Sequence, residues 1–452
     1  MPIFRLLLII LFLLISTFAS QQNFNNSKQT KRQLKILVYS PTLSWSHAQF
    51  LGKIADTLVD AGHEVDVGYI VDPCLLIDNP AYDLLIERGK TIKERKLLQK
   101  LEKEHFDVGI GENYDHCAAA IFHKIGVRVQ VTAYAVQLLH WIARKYDIPT
   151  FASYVPNNFA PTLRLESFSN RLINFYNEFY EWIWMHDHFK RLQDPIIRAE
   201  FGEDFPDLNE LLKKSSLVFV NTNPFIDFPR PISNKIVYIG GLVQESAPPD
   251  SKILDKVAKE GAILFSFGSI TDTTKISNYM RNSILNAFKR FPNVHFIWKL
   301  DKETIKNQSE LFKSFTNVHA FEWIRQTAIL AHPNLRAFIS HCGQNSLTES
   351  VIAGVPVIGL PLFADQFYNA DVAQKLGFGL QIDVNDLNGP NSESILAETI
   401  EKVERLVKWV EFAAEFSDLS ELDLPGAKEM NWVVYYSIDH GTKFQIIVKD
   451  VT

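Results

Sequence analysis

The stretch at residues 337–366, AFISHCGQNSLTESVIAGVPVIGLPLFADQ, gathers the polar side chains most able to do chemistry. Two short apolar runs, 337–340 and 355–360, bracket a helix-prone segment at 346–353 that Gly354 stops. A β–α–β unit of this kind sets the turn His341-Cys342-Gly343-Gln344-Asn345 at the carboxyl end of its first strand, beside the N–H groups of a helix start. Such a turn suits a phosphate. Ser346 and Glu349 also have capping-box spacing, in which the serine caps the helix and the glutamate reaches back to it with no ligand involved. Spacing alone leaves both readings open. His47 is the other candidate: an imidazole titrates near neutral pH and can take a proton from a hydroxyl. A lone histidine at a helix start is nonetheless more often structural.

The elements that must position these residues alternate strand and helix. Residues 35–40 (KILVYS) read as a strand, 47–61 as a helix stopped by Gly62, 64–70 as a strand, 90–103 as a charged helix, 106–110 as a strand and 115–125 as a helix; 217–221 (LVFVN) closes this half. A second half repeats the plan, with strands at 263–266, 295–299, 318–321, 338–340, 355–360 and 380–383 and a long helix at 392–414. The pattern is doubly wound α/β, twice over, with a proline-bearing linker at 245–250. Residues 159–214 are less regular and rich in aromatics. Phe175, Tyr176, Phe179, Tyr180, Trp182 and Trp184 read first as core, otherwise as an apolar pocket.

At 452 residues, 46% hydrophobic and 22% charged, the chain is long enough for two or three domains and fits no disordered class. A formal charge of −6 and the lack of any Lys/Arg run argue against nucleic acid as a partner. Residues 1–20 combine Arg5, an apolar core at 6–15 and small residues near Thr17 and Ala19, the pattern of a secretory signal peptide; as an anchor the core is short for about 30 Å of hydrocarbon. The implied compartment is oxidising, yet there are only Cys74, Cys117 and Cys342. Cys74 with Cys117 is the one bridge worth testing, and free buried thiols are equally open. Asn25 and Asn307 head glycosylation sequons, which are only permissive signals.

The neighbours of the first stretch make it specific. Phe321-Glu322-Trp323-Ile324-Arg325-Gln326 lies upstream, then His332-Pro333 and the AFISH strand, and Asp365-Gln366 follows Pro361. This order resembles the donor-binding signature of the UDP-glycosyltransferases, the group that includes the UDP-glucuronosyltransferases. The resemblance implies a GT-B fold, two Rossmann-like doubly wound α/β domains facing a cleft: 34–245 for the acceptor, 251–430 for the UDP-sugar, and 431–452 as a terminal crossing helix and tail. It assigns Trp323 to stack on uracil, Gln326 to bond near the base and ribose, and Glu349 to take the ribose hydroxyls. His341 and the backbone around Gly343, Asn345 and Ser346, with Gly268 and Ser269 from the first strand of this half, would hold the diphosphate. Asp365 and Gln366 would bind the sugar. Cys342 departs from the pattern, since many relatives carry glycine there, and must tolerate a backbone geometry that glycine adopts cheaply.

The same resemblance makes His47 the catalytic base and puts its acidic partner at Glu112 in GIGENYD, with Asp115 near enough to compete. A carboxylate there would fix the histidine tautomer and stabilise its charged form. The implied reaction moves a hexose, glucuronic acid or glucose, from a UDP-sugar to a hydroxyl of a small lipophilic acceptor, by direct displacement with inversion. The rival is a catalytically silent sugar-nucleotide or lipid-binding protein. No metal is expected, because the histidines lack ligand spacing and no Asp-x-Asp occurs, and no cofactor beyond the UDP-sugar as co-substrate. Peripheral membrane contact and homo-oligomer formation stay open. The expected location is the secretory pathway, in the endoplasmic reticulum lumen or secreted, as a glycoprotein of detoxification. The final segment, 442–452, is too short to span a bilayer, so no C-terminal anchor is expected.

Overall fold

The computed structural model describes residues 32–41, 45–70, 95–114, 116–158, 165, 167–185, 187–242 and 261–415, and the element labels run over these. Residues 1–20, Cys74, Asp115, the linker at 245–250 and the terminal helix and tail at 431–452 lie outside them. By contacts, the described residues up to 43, of 47–133 and of 190–217 form one compact unit, and those of 44–46, 134–189 and 218 onward another.

The first sheet holds β1 (Lys35–Pro41), β2 (Glu64–Ile70), β3 (Val108–Gly111), β4 (Val129–Tyr134), β5 (Leu217–Val220) and β6 (Ile236–Tyr238), in the order β2-β1-β3-β4-β5-β6. β1 pairs in parallel with β2 on one side and β3 on the other. The winding therefore reverses between β1 and β3, and open α/β sheets leave a crevice at the carboxyl ends of such a strand pair. Its helices are α1 (Trp45–Asp60), α2 (Arg95–Lys103), α3 (Cys117–Lys124), α4 (His140–Lys145), α5 (Phe168–Met185), α6 (His188–Phe201) and α7 (Leu208–Lys213). β3 reads VGIG because α3 lies directly on it: a Cβ at Gly109 would come within 2.9 Å of the Phe122 ring, and one at Gly111 within 2.7 Å of Ala118. Cys117, at the buried start of α3, is disulfide-bonded, whereas Cys342 is a buried free thiol.

The second sheet orders β7 (Ala262–Ser266), β8 (His295–Lys299), β9 (Val318–Phe321), β10 (Leu335–Ser340), β11 (Val357–Gly359) and β12 (Gly379–Gln381) as β12-β11-β10-β7-β8-β9, with parallel pairing throughout. It carries α8 (Asn278–Lys289), α9 (Lys302–Asn307), α10 (Ser309–Lys313), α11 (Gln326–Leu330), α12 (Gln344–Ala353), α13 (Gln366–Lys375) and α14 (Ser392–Glu415). Every residue of β7 is buried. Ile263 and Phe265 pack with Phe288, Trp298 and Leu396, while Ala262 and Leu264 pack with Ile297, Ile329 and Phe338. A strand buried on both faces needs no polar alternation, which is why these runs were continuous in the sequence. Here the winding reverses between β7 and β10, with Ser266 opposite Ser340.

The aromatic segment corrects its sequence reading. Helix α5 buries Asn174, Glu178 and Glu181 and exposes all six aromatics expected in the core. Asn174 accepts from the Asn157 N–H at 2.8 Å and donates to the Ala152 and Val155 carbonyls at 2.8 and 2.9 Å. Glu181 accepts from the Trp141 N–H at 3.0 Å and from the Asn157 amide, and Glu178 pairs with Arg144 at 2.8 Å. Polar groups held by hydrogen bonds or by an ion pair thus occupy the side that an amphipathic helix normally gives to apolar ones. Among the described residues no helix is long and apolar enough to cross a membrane.

Candidate active site

In the first sheet, β1 feeds α1 and places His47 in its first turn, while Glu112 follows β3 directly. Tyr39 and Gly111 are register partners, so residues leaving the two strands become neighbours. His47 Nδ1 lies 2.7 Å from Glu112 Oε2, whose side chain is fully buried, and the Tyr114 ring stands edge-on to the imidazole at 5.6 Å. With the Nδ1 proton held on the carboxylate, a neutral ring carries its lone pair on Nε2.

In the second sheet, the ends of β7 and β10 bring together Gly268, His341 and Gly343. The His341 ring fills the space beside both glycines: a Cβ on Gly268 would meet its Nε2 at 2.6 Å, and one on Gly343 at 2.5 Å. Gly268 also has φ +79°, so both sterics and backbone require glycine there. His341 Nδ1 is buried with no hydrogen-bond partner among the described residues. Burial, then the charge of Lys299, lower the His341 pKa to about 4 against a hydrogen bond to the Ser266 backbone. The imidazole is neutral at physiological pH. Ser269 is exposed beside this turn.

Cys342 takes φ +63°, the left-handed region anticipated for it. Its sulfur lies where a Cβ on Gly359 would come within 2.9 Å, and it packs with Leu347, Val357, Ala370 and Ala373. Burial raises the thiol pKa far above its usual range.

The capping box does not form. α12 begins at Gln344, with Gly343 as an extended N-cap and no side-chain cap, so Asn345 and Ser346 both fall inside the first turn. Ser346 Oγ and Glu349 Oε2 instead share the amide of Gln326, at 3.0 and 2.6 Å. Burial raises the Glu349 pKa to about 7, and the Gln326 bond opposes it. Trp323 is 65% exposed, and Lys299 Nζ sits 4.5 Å from its ring centroid. Asp365 precedes α13, and its Oδ2 accepts from Asn369 Nδ2 at 3.0 Å; the same amide donates to the Cys342 carbonyl at 2.9 Å. Gln366 Oε1 accepts from the Leu362 and Phe363 N–H groups at 2.8 and 3.2 Å, which uses both its lone pairs and leaves its NH₂ as the group to offer a ligand.

The second-sheet residues singled out from the sequence therefore converge on the ends of β7 and β10 and the starts of α11, α12 and α13. Lys299 and Asn369 were missed. Asn369 sits four residues after Asp365 on one helix face, a readable spacing; Lys299 is a single basic residue closing an apolar strand. Among the described residues no three His, Cys, Asp or Glu side chains cluster as a metal site.

Residues 21–451 match the family model described as UDP-glucoronosyl and UDP-glucosyl transferase. The protein ugt-48 of Caenorhabditis elegans is 29% identical over 90% of each chain. UDP-glucuronosyltransferase 3A2 of Homo sapiens is 27% identical, over 79% of this chain and 71% of its own. Among solved structures, the glycotransferase of kitacinnamycin superposes with a TM-score of 0.55 at 17% identity, covering 84% of this chain and 99% of its own. Os79 of O. sativa in complex with UDP gives 0.52 at 15%, covering 82% and 93%. These share the GT-B fold of two parallel doubly wound sheets. With the family model spanning nearly the whole sequence, the chain belongs to the UDP-glycosyltransferases, the enzyme family of UDP-glucuronosyl and UDP-glucosyl transferases.

Proposed function

We propose that the chain transfers a hexose, glucuronic acid or glucose, from a UDP-sugar to a hydroxyl of a small lipophilic acceptor, with inversion at the anomeric carbon. The observation that carries this reading is the 2.7 Å contact between His47 Nδ1 and the buried Glu112 carboxylate. A histidine held in one tautomer by a buried acid is equipped as a general base. His47 Nε2 takes the acceptor proton as the acceptor oxygen bonds to the anomeric carbon; the bond to the diphosphate oxygen breaks and UDP leaves with its electron pair. Glu112 stabilises the imidazolium that results.

On the donor side, Trp323 offers an exposed indole to uracil and Gln326 and Glu349 meet the ribose. His341, Gly268, Ser269, Gly343, Asn345 and Ser346 surround the diphosphate, and Asp365 and Gln366 the sugar. Os79, of the same fold, is solved in complex with UDP, which supports a UDP-sugar as the donor. The UDP-sugar is a co-substrate, and the reading needs neither a cofactor nor a metal. The Cys117 disulfide supports a lumenal or secreted location in the secretory pathway, where oxidising conditions preserve such bonds.

The test is incubation of the purified chain with UDP-glucuronate and UDP-glucose against a panel of phenols. Acceptor-dependent release of UDP and a product of inverted anomeric configuration by NMR are expected. UDP release without a glycoside, or retention, would overturn the reading.

A further inference from the structure

We propose that Lys299 is the cation of the donor site, its ammonium pairing with an anionic oxygen of the bound UDP-sugar. The inference rests on the donor reading above. Lys299 closes β8, whose Trp298 follows one step behind in register with Phe265 of β7. That register brings its side chain to the turn after β7, where Nζ donates to the Gly268 carbonyl at 2.9 Å, and to the Trp323 indole at 4.5 Å. It therefore stands between the surface offered to the base and the turn offered to the diphosphate.

An ammonium has three N–H donors, and the Gly268 carbonyl occupies one of them. Among the described residues no carboxylate lies within ion-pair distance of it. Burial lowers its pKa, only partly offset by the more distant Asp301, so the positive charge is incompletely compensated. His341 cannot supply charge in its place. It is neutral at physiological pH, partly because Lys299 is near, and its buried Nδ1 has no partner among the described residues. The pair thus divides the work: the imidazole offers a neutral hydrogen bond, and Lys299 the charge-assisted one.

Two donor groups carry such an oxygen, the diphosphate and a uronate carboxylate, and binding measurements separate them. By calorimetry on the full chain, Lys299→Met should weaken UDP and UDP-glucose by about tenfold or more if the diphosphate is the partner, while uridine changes less than about twofold. A loss confined to UDP-glucuronate would instead place the charge at the sugar. Lys299→Arg should retain most of the affinity in either case. On the unaltered chain, UDP or UDP-glucuronate should protect Lys299 from amine acylation, read by peptide mass, and uridine should not. Wild-type affinity of Lys299→Met for UDP, UDP-glucose and UDP-glucuronate, or equal acylation with and without them, overturns the proposal. Failure of the wild-type chain to bind any of the three would overturn the donor reading itself.

Discussion

Gln326 Nε2 lies 2.6 Å from Glu349 Oε2, so the glutamate is held by a neighbouring helix and not by the start of its own. Removing it costs no cap. Glu349→Ala is expected to weaken UDP binding by about 1–3 kcal/mol, the scale for losing a partner of buried hydroxyls, with little change in melting temperature. Because burial raises this carboxyl to about 7 and hydroxyls donate to its ionised form, UDP affinity should rise as pH increases through about 7. The variant should lose that dependence. A lower melting point with unchanged UDP affinity would return Glu349 to a structural role.

His47→Ala should abolish transfer and leave UDP affinity unchanged, as calorimetry and turnover together would show. Glu112→Gln keeps a hydrogen-bonding group but no charge, and should lower kcat by on the order of 10²-fold or more. Asp115→Asn should cost less. The reverse ranking would move the partner role to Asp115.

Glu181 sets a pH dependence of stability. In the folded chain burial raises its pKa to about 7, against hydrogen bonds from Asn157 and Trp141, from an ordinary 4.5. Between those values the folded state binds more protons than the unfolded one. The contribution of Glu181 to stability is therefore fullest below about pH 4.5 and is lost as pH rises through 7. Glu349 acts in the same window with the same sign, so the useful quantity is a difference. Urea unfolding at pH 5 and pH 8 should show a fall that Glu181→Gln reduces by on the order of 3 kcal/mol. An identical fall in both proteins would remove Glu181 from the account.

Cys342 occupies a left-handed backbone conformation and a tight apolar site. Cys342→Gly relieves the first by roughly 1–2 kcal/mol and empties the second, so the two effects should nearly cancel. Cys342→Val adds a β-branched side chain at positive φ and should destabilise clearly. Denaturant midpoints for the pair check this. In the native wild-type chain the thiol should resist alkylation until unfolding, since it is buried and held protonated.

Much of the second sheet was legible because its strands are sealed on both faces and read as uninterrupted apolar runs, as AILFS and HFIWK do. β4 escaped because VQVTAY mixes polar residues into a strand, and β6 because three residues make no pattern. Glu112 came from the resemblance, which counts the acidic partner from the strand at 106–110, and β3 ends one residue before it. The capping box misled because sequence spacing cannot show that the helix starts two residues early, at Gln344, with Gly343 as its cap. Lys299 was invisible for a different reason: its value comes from the loop of the adjacent strand, thirty-one positions away.

Helix α5 turns the usual sorting of oil and water inside out, and its rotation about its own axis is fixed by directional bonds to Asn157, Trp141 and Arg144. Nonpolar contact is promiscuous about angle, while a hydrogen bond is not. The ten large apolar side chains on its other face, from Phe168 to Trp184, are 43–73% exposed and touch chiefly one another, as Phe175 with Phe179 and Tyr180 with Trp184 do. The orientation of the helix therefore depends less on those rings than on the three polar side chains beneath them, and the rings are left facing whatever the finished protein meets.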